Sequence, residues 1–109
     1  MTVHDLKEKL ALRPLSLANA ERELSGVYIG DLLSWVMGRA SCDNVWITIM
    51  SNINIVAVAS LADVGCIILA EGVTLEESVR ATAEQKGINV FTTDKTAYEI
   101  AAELARLGL

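Results

Sequence analysis

From Val45 to Leu107, three apolar runs of strand length alternate with helix-period segments, and the turns between them are short. The runs are Val45-Trp46-Ile47-Thr48-Ile49-Met50, Cys66-Ile67-Ile68-Leu69-Ala70 and Asn89-Val90-Phe91-Thr92. None alternates polar with apolar residues, as a strand with one wet face would. Strands apolar on both faces belong to parallel sheets, whose crossover helices cover the two sides. The alternation predicts an α/β chain in three layers, α/β/α, with a mainly parallel sheet. Its 109 residues suit a single domain. Within it, residues 1–14 read as an N-terminal helix and 15–107 as the core.

The helix signals are local. Thr2 can cap a first helix with Asp5 three positions on, Val3, Leu6 and Leu10 share its face, and Pro14 stops it near Leu12. Leu15-Ser16-Leu17 reads as a short strand. Glu21 to Tyr28 is charged in its first half, so a strand there would sit at a sheet edge or enter the sheet only near Leu24, with Gly26 at a turn or bulge. Asp31 or Gly30 opens a second helix with Leu32, Leu33, Val36 and Met37 as its stripe and Gly38 at its end. Asn54 caps Ile55–Leu61, and Gly65 turns the chain into the next strand. Thr74-Leu75-Glu76-Glu77 has the form of a capping box, with Glu76 and Arg80 spaced i,i+4; Gly87 closes that helix. Thr93 or Asp94 caps the last one, which turns Ala97, Ile100, Leu104 and Leu107 inward.

Composition excludes several partners. Nine Lys+Arg against fourteen Asp+Glu give a net charge of −5, and no basic cluster offsets it, so nucleic acid is not an expected partner. Hydrophobic residues reach 52%, which a chain this short relieves by self-association, and a homodimer is expected. The uncharged stretch between Asp43 and Asp63 is long enough to span a bilayer. Thr48, Ser51, Asn52 and Asn54 fall in its middle, so it reads as strand, turn and helix, and no membrane segment is expected. Cys42 and Cys66 have no CxxC spacing, and no basic-then-apolar leader pattern opens the chain. Both features point to a reducing, cytoplasmic setting.

The blocks Glu23-Leu24-Ser25-Gly26-Val27-Tyr28-Ile29-Gly30-Asp31-Leu32-Leu33-Ser34-Trp35-Val36-Met37, Val45-Trp46-Ile47-Thr48-Ile49 and Asn54-Ile55-Val56-Ala57-Val58-Ala59 together resemble a DRTGG domain. The resemblance runs from about Leu15 to Leu107. Glu23-Leu24-Ser25-Gly26-Val27 stands in the place of the name-giving motif, and only Ser25 and Gly26 keep its character. Such domains resemble the N-terminal domain of HPr kinase/phosphorylase and occur fused to phosphotransacetylases and CBS-domain proteins. The resemblance implies a three-layer α/β accessory or regulatory module, often dimeric. The related kinase works through a separate domain with a phosphate-binding loop. This chain has no G-x-x-x-x-G-K-[ST], hence no amide nest and no lysine for a nucleotide's phosphates, and kinase activity is not expected.

Catalytic signals are thin. His4 is the single histidine and lacks local pairing with either cysteine, so neither a metal site nor a Ser-His-Asp arrangement is expected. Glu21/Glu23 and Glu76/Glu77 read as solvated or helix-terminal acids. No cofactor is implied. Parallel sheets place ligands beyond the carboxyl ends of their strands. There the chain carries Ser51-Asn52-Ile53-Asn54, Glu71-Gly72 and Thr92-Thr93-Asp94-Lys95. The candidate ligand-binding residues are therefore Ser51, Asn52, Asn54, Glu71, Gly72, Thr92, Thr93, Asp94 and Lys95, although Asn54, Thr74 and Thr93 also serve as ordinary caps. Trp46 reads as core. Tyr28 and Trp35 are the candidate interface, with Trp35 either covering its own helix or meeting a second copy. The reading is a non-catalytic regulatory domain that senses a small ligand such as a nucleotide or anion. The alternative is a protein-interaction subunit that binds an enzyme partner without a ligand.

Overall fold

The computed structural model describes residues 1–109. Its elements run α1 (Val3–Leu10), β1 (Arg13–Ser16), β2 (Val27–Ile29), α2 (Leu33–Arg39), β3 (Val45–Thr48), α3 (Asn54–Ala62), β4 (Cys66–Leu69), α4 (Glu77–Gln85), β5 (Val90–Thr92) and α5 (Ala97–Arg106). One five-stranded sheet has the order β1-β5-β4-β3-β2. β2, β3, β4 and β5 are parallel, and β1 pairs antiparallel with β5 at the far edge. The expected three-layer α/β fold with a mainly parallel sheet is the one observed.

Each of the three apolar runs feeds two cores. Val45, Ile47, Cys66, Ile68 and Phe91 point to one face, where α1 and α5 bring Val3, Leu6, Ile100 and Leu104. Trp46, Ile67, Leu69 and Val90 point to the other, under Val36 of α2, Ile55 and Ala59 of α3, and Val79 and Ala83 of α4. Every residue of β3, β4 and β5 is buried, which is why these runs show no alternation. Burying a side chain as large as Phe91 contributes about 2–3 kcal/mol. Since Val3 and Leu6 are fully buried, α1 belongs to the core and is not an appendage.

Several local expectations give way to tertiary bonds. The Thr2–Asp5 box forms, yet α1 ends at Leu10 because Ala11 turns left-handed (φ 51°). Pro14 instead lies in edge strand β1, where a missing N–H is tolerated. No strand forms over Glu21–Glu23; Glu23 makes one bridge to Thr2, and its carboxylate takes the Met1 amino group at 3.1 Å. Asp31 does not open α2, since its Oδ1 accepts from the Thr48 hydroxyl at 2.8 Å and from Ile49 N–H at 3.0 Å. Leu32 takes the cap position without a side-chain bond, and Gly38 lies inside α2. Within the expected stripe only Val36 is buried, while Leu32 and Met37 are half exposed.

Asn54 is the first residue of α3, not its cap; Asn52 Oδ1 accepts from Asn54 N–H at 2.9 Å. The Thr74–Glu77 box does not form. The Thr92 hydroxyl holds Val73 C=O at 2.6 Å, which keeps the loop extended, and α4 starts only at Glu77. Arg80 reaches back to Leu15 C=O at 2.7 Å and meets Glu77, not Glu76. Thr93 and Asp94 do not cap α5. Glu71 and Gly72 N–H groups donate to Lys95 and Thr93 C=O, both at 2.8 Å, and this pairing holds 93–95 extended. The helix then begins behind Thr96, in a reciprocal box with Glu99.

Candidate functional site

Among β2, β3, β4 and β5 the strand order follows the chain without reversal, so the parallel strands have no switch-point crevice. Depressions form instead between neighbouring crossovers. The largest has a volume of about 570 Å³ and lies between the turn after β3 and the turn after β4. Ser51 and Asn52 line it from the first turn, Thr74 and Ser78 from the second. The hydroxyls of Ser51, Thr74 and Ser78 and the Asn52 amide nitrogen make no hydrogen bond to the protein. Ile53, Leu75 and Val79 supply an apolar side, and Glu76 is the one charged residue in the lining.

The candidate residues do not converge on one site. Ser51 and Asn52 line this cleft; Asn54 is exposed on the first turn of α3. Thr92, Thr93, Asp94 and Lys95 line a separate depression of about 270 Å³ with Arg13. Its polar groups are already engaged. Thr92 is committed to Val73, Lys95 Nζ to Glu103 at 2.6 Å, and Arg13 to Asp94 at 3.6 Å. Glu71 and Gly72 line neither depression, and their amides join the two turns. Sequence reasoning named Thr74 only as a cap and overlooked Ser78. The structure frees Thr74 by starting α4 late, and Ser78 lies exposed in the first turn of that helix.

At the opposite, amino-terminal ends of β3 and β4 is a cluster the sequence did not signal. Arg22 joins Asp43, ahead of β3, to Asp63, ahead of β4. Burial opposes its charge, but the hydrogen bonds it donates to Asp43 and Asp63 outweigh that and raise its pKa. Cys42 Sγ–H donates to Asp63 Oδ2 at 3.2 Å, which raises the thiol's pKa and, with Arg22, lowers that of Asp63. Burial pushes Cys66 up to about 12. A thiol so protonated is a poor nucleophile. No three His, Cys, Asp or Glu side chains come together to hold a metal ion, and no helix is long and apolar enough to cross a membrane.

Trp46 is buried, its indole N–H on Gly30 C=O at 2.9 Å. Trp35 is half exposed with the Arg39 guanidinium 3.7 Å above its ring, and Tyr28 is half-buried on the sheet.

The residues standing in the place of the DRTGG motif do structural work here. Leu24 is buried, Ser25 N–H donates to Asp43 C=O at 2.9 Å, and Gly26 takes φ +77° with Asn44 packed against it. The DRTGG domain family matches residues 18–107. The chain belongs to the DRTGG domain family. Among solved structures, this DRTGG domain is similar to the CBS and DRTGG domains of the regulatory region of Clostridium perfringens pyrophosphatase, crystallised with the activator diadenosine tetraphosphate. The TM-score is 0.72 at 14% identity, over 94% of this chain and 45% of that one. The likeness is one of fold, and the chain spans under half of that structure. No curated protein matches it in sequence.

Proposed function

We propose that this DRTGG domain is a non-catalytic regulatory module that senses a small ligand, such as a nucleotide, in the cleft between the β3–α3 and β4–α4 turns. The cleft carries the reading: it sets unpartnered hydroxyls and a carboxamide against an apolar wall at the carboxyl ends of two parallel strands. Family membership supports a regulatory role, as does the fold shared with part of a pyrophosphatase regulatory region that takes a nucleotide activator. The two free cysteines suit a reducing, cytoplasmic setting. A thermal-shift screen with nucleotides and phosphorylated metabolites tests the reading. A true ligand at about 100 times its Kd raises Tm by several degrees, and Asn52→Ala abolishes the rise. A flat screen, or an unchanged rise in the variant, overturns it.

A second reading rests on exposed apolar surface. β2 is an edge strand three residues long with nothing paired outside it, and Ile29, Leu32, Trp35 and Met37 are all about half exposed in or beside it. Such an edge suits a homodimer or an enzyme partner. Light scattering on the wild type and on Trp35→Ala checks this. A dimer that persists in the variant removes Trp35 from the contact.

A further inference from the structure

We infer that the cleft receives the uncharged nucleoside end of its ligand, with a ribose diol on Glu76, and excludes free phosphate. The inference rests on the ligand-sensing reading above and narrows it to a chemical class.

Charge comes first. No lysine or arginine lines the cleft, and its one ionisable group is the Glu76 carboxylate. The nearest helical arginine is directed elsewhere, since Arg80 is bound to Leu15 C=O and paired with Glu77. With a net charge of −5 on the whole chain, a phosphate entering here meets a negative field and no basic side chain. The helix amino ends do not compensate: α4 leaves the Glu77 and Ser78 N–H groups free, but Glu76 at its cap and Glu77 in its first turn set two carboxylates against that partial charge, and α3 offers less. Asn54 N–H is taken by Asn52 Oδ1, Ile55 N–H by Asn52 C=O, and Val56 N–H by Ile53 C=O. The basic residues near the strand ends, Arg13 and Lys95, belong to the other depression and already have acidic partners.

Hydrogen-bonding chemistry points the same way. A carboxylate only accepts hydrogen bonds, and a vicinal diol offers it two donors. Ser51, Thr74 and Ser78 hydroxyls both donate and accept, and the Asn52 amide nitrogen donates, a set that reads hydroxyls and heterocycle edges. Ile53, Leu75 and Val79 give a flat ring an apolar face. A volume of about 570 Å³ holds a nucleoside and falls within the usual range for small-molecule sites. A nucleotide would enter base and sugar first, its phosphates outward.

Titration calorimetry at pH 7 decides the matter with the four ribonucleosides, their 2′-deoxy counterparts, the triphosphates and inorganic phosphate. The expected result is that a ribonucleoside binds, its 2′-deoxy form binds about tenfold more weakly, and phosphate gives no heat. Glu76→Gln reproduces the tenfold loss with Tm unchanged, since Glu76 is an exposed cap residue making no side-chain cap bond. Binding of phosphate, of triphosphates without nucleosides, or of ribo- and deoxy-forms equally overturns this inference and leaves the ligand-sensing reading standing. Silence from every probe, in calorimetry and in the wider thermal-shift screen, overturns both.

Discussion

Arg22 places Nε at 3.0 Å and Nη2 at 2.8 Å from the same Asp43 carboxylate oxygen, and with that Nη2 also reaches Asp63. One side chain thereby ties the loop before β2 to the turns that launch β3 and β4. Both aspartates have left-handed backbone, φ 67° at Asp43 and φ 56° at Asp63. Such conformations persist only where neighbouring contacts hold them.

Arg22→Ala is expected to lower stability by about 1–2 kcal/mol, because it removes charge-assisted bonds that are only partly shielded from water. Arg22→Lys should recover less than half, since an ammonium cannot reproduce the fork. Urea unfolding measures both. A loss under a few tenths of a kcal/mol for Arg22→Ala would make the cluster ornamental.

Acid should weaken the fold. Asp63 is held below the usual aspartate range by the Cys42 thiol and then by Arg22; Asp5 and Glu99 are lowered by the N–H groups of Thr2 and Thr96 and then by their side chains. A carboxylate with a depressed folded pKa contributes stability above its unfolded pKa and loses it as pH falls through the folded one. Tm should therefore hold steady near neutrality and fall below about pH 4. Asp63→Asn should show a shallower acid limb; an identical slope in the variant would remove Asp63 from the account.

The two thiols should separate cleanly. Cys42 is exposed, but its hydrogen bond to Asp63 keeps it protonated; Cys66 is buried. With an aromatic disulfide reagent at pH 7, one thiol should react slowly in the native protein and the second only after unfolding. Asp63→Asn should quicken the first. Two thiols reacting at once in the native state would contradict the packing of β4.

Gly65→Ala should destabilise by about 1–3 kcal/mol through overpacking. An added Cβ would lie 2.4 Å from Leu24 Cδ2 and 3.1 Å from Asp43 C=O. The sequence marks Gly65 as a turn, whereas the structure requires it for this close approach. A neutral result in thermal unfolding would show that Leu24 can move aside.

The order of layers was legible in the residues because burial on both faces leaves a mark at each position. Every residue of Val45–Thr48, Cys66–Leu69 and Val90–Thr92 is apolar or carries a small hydroxyl. Caps were less legible. Thr74 and Thr96 each precede a glutamate by three positions, and only Thr96 forms the box. The difference lies in Thr92, which grips Val73 from a neighbouring strand, and in the Glu71–Lys95 and Gly72–Thr93 backbone bonds. Those partners are distant in the chain, so local spacing carries no trace of them. The same bonds divide the candidate site, sending Ser51 and Asn52 to one depression and Thr92 to Lys95 to another.

The residue pattern alone determined the parallel, helix-covered sheet, because hydrophobic periodicity is a local property set by which faces are dry. Where each helix begins, which hydroxyls stay free and which acids meet Arg22 were decided only in three dimensions. Those outcomes depend on competition between capping bonds and long-range hydrogen bonds, and the long-range partner wins where the packed sheet has already brought it within reach.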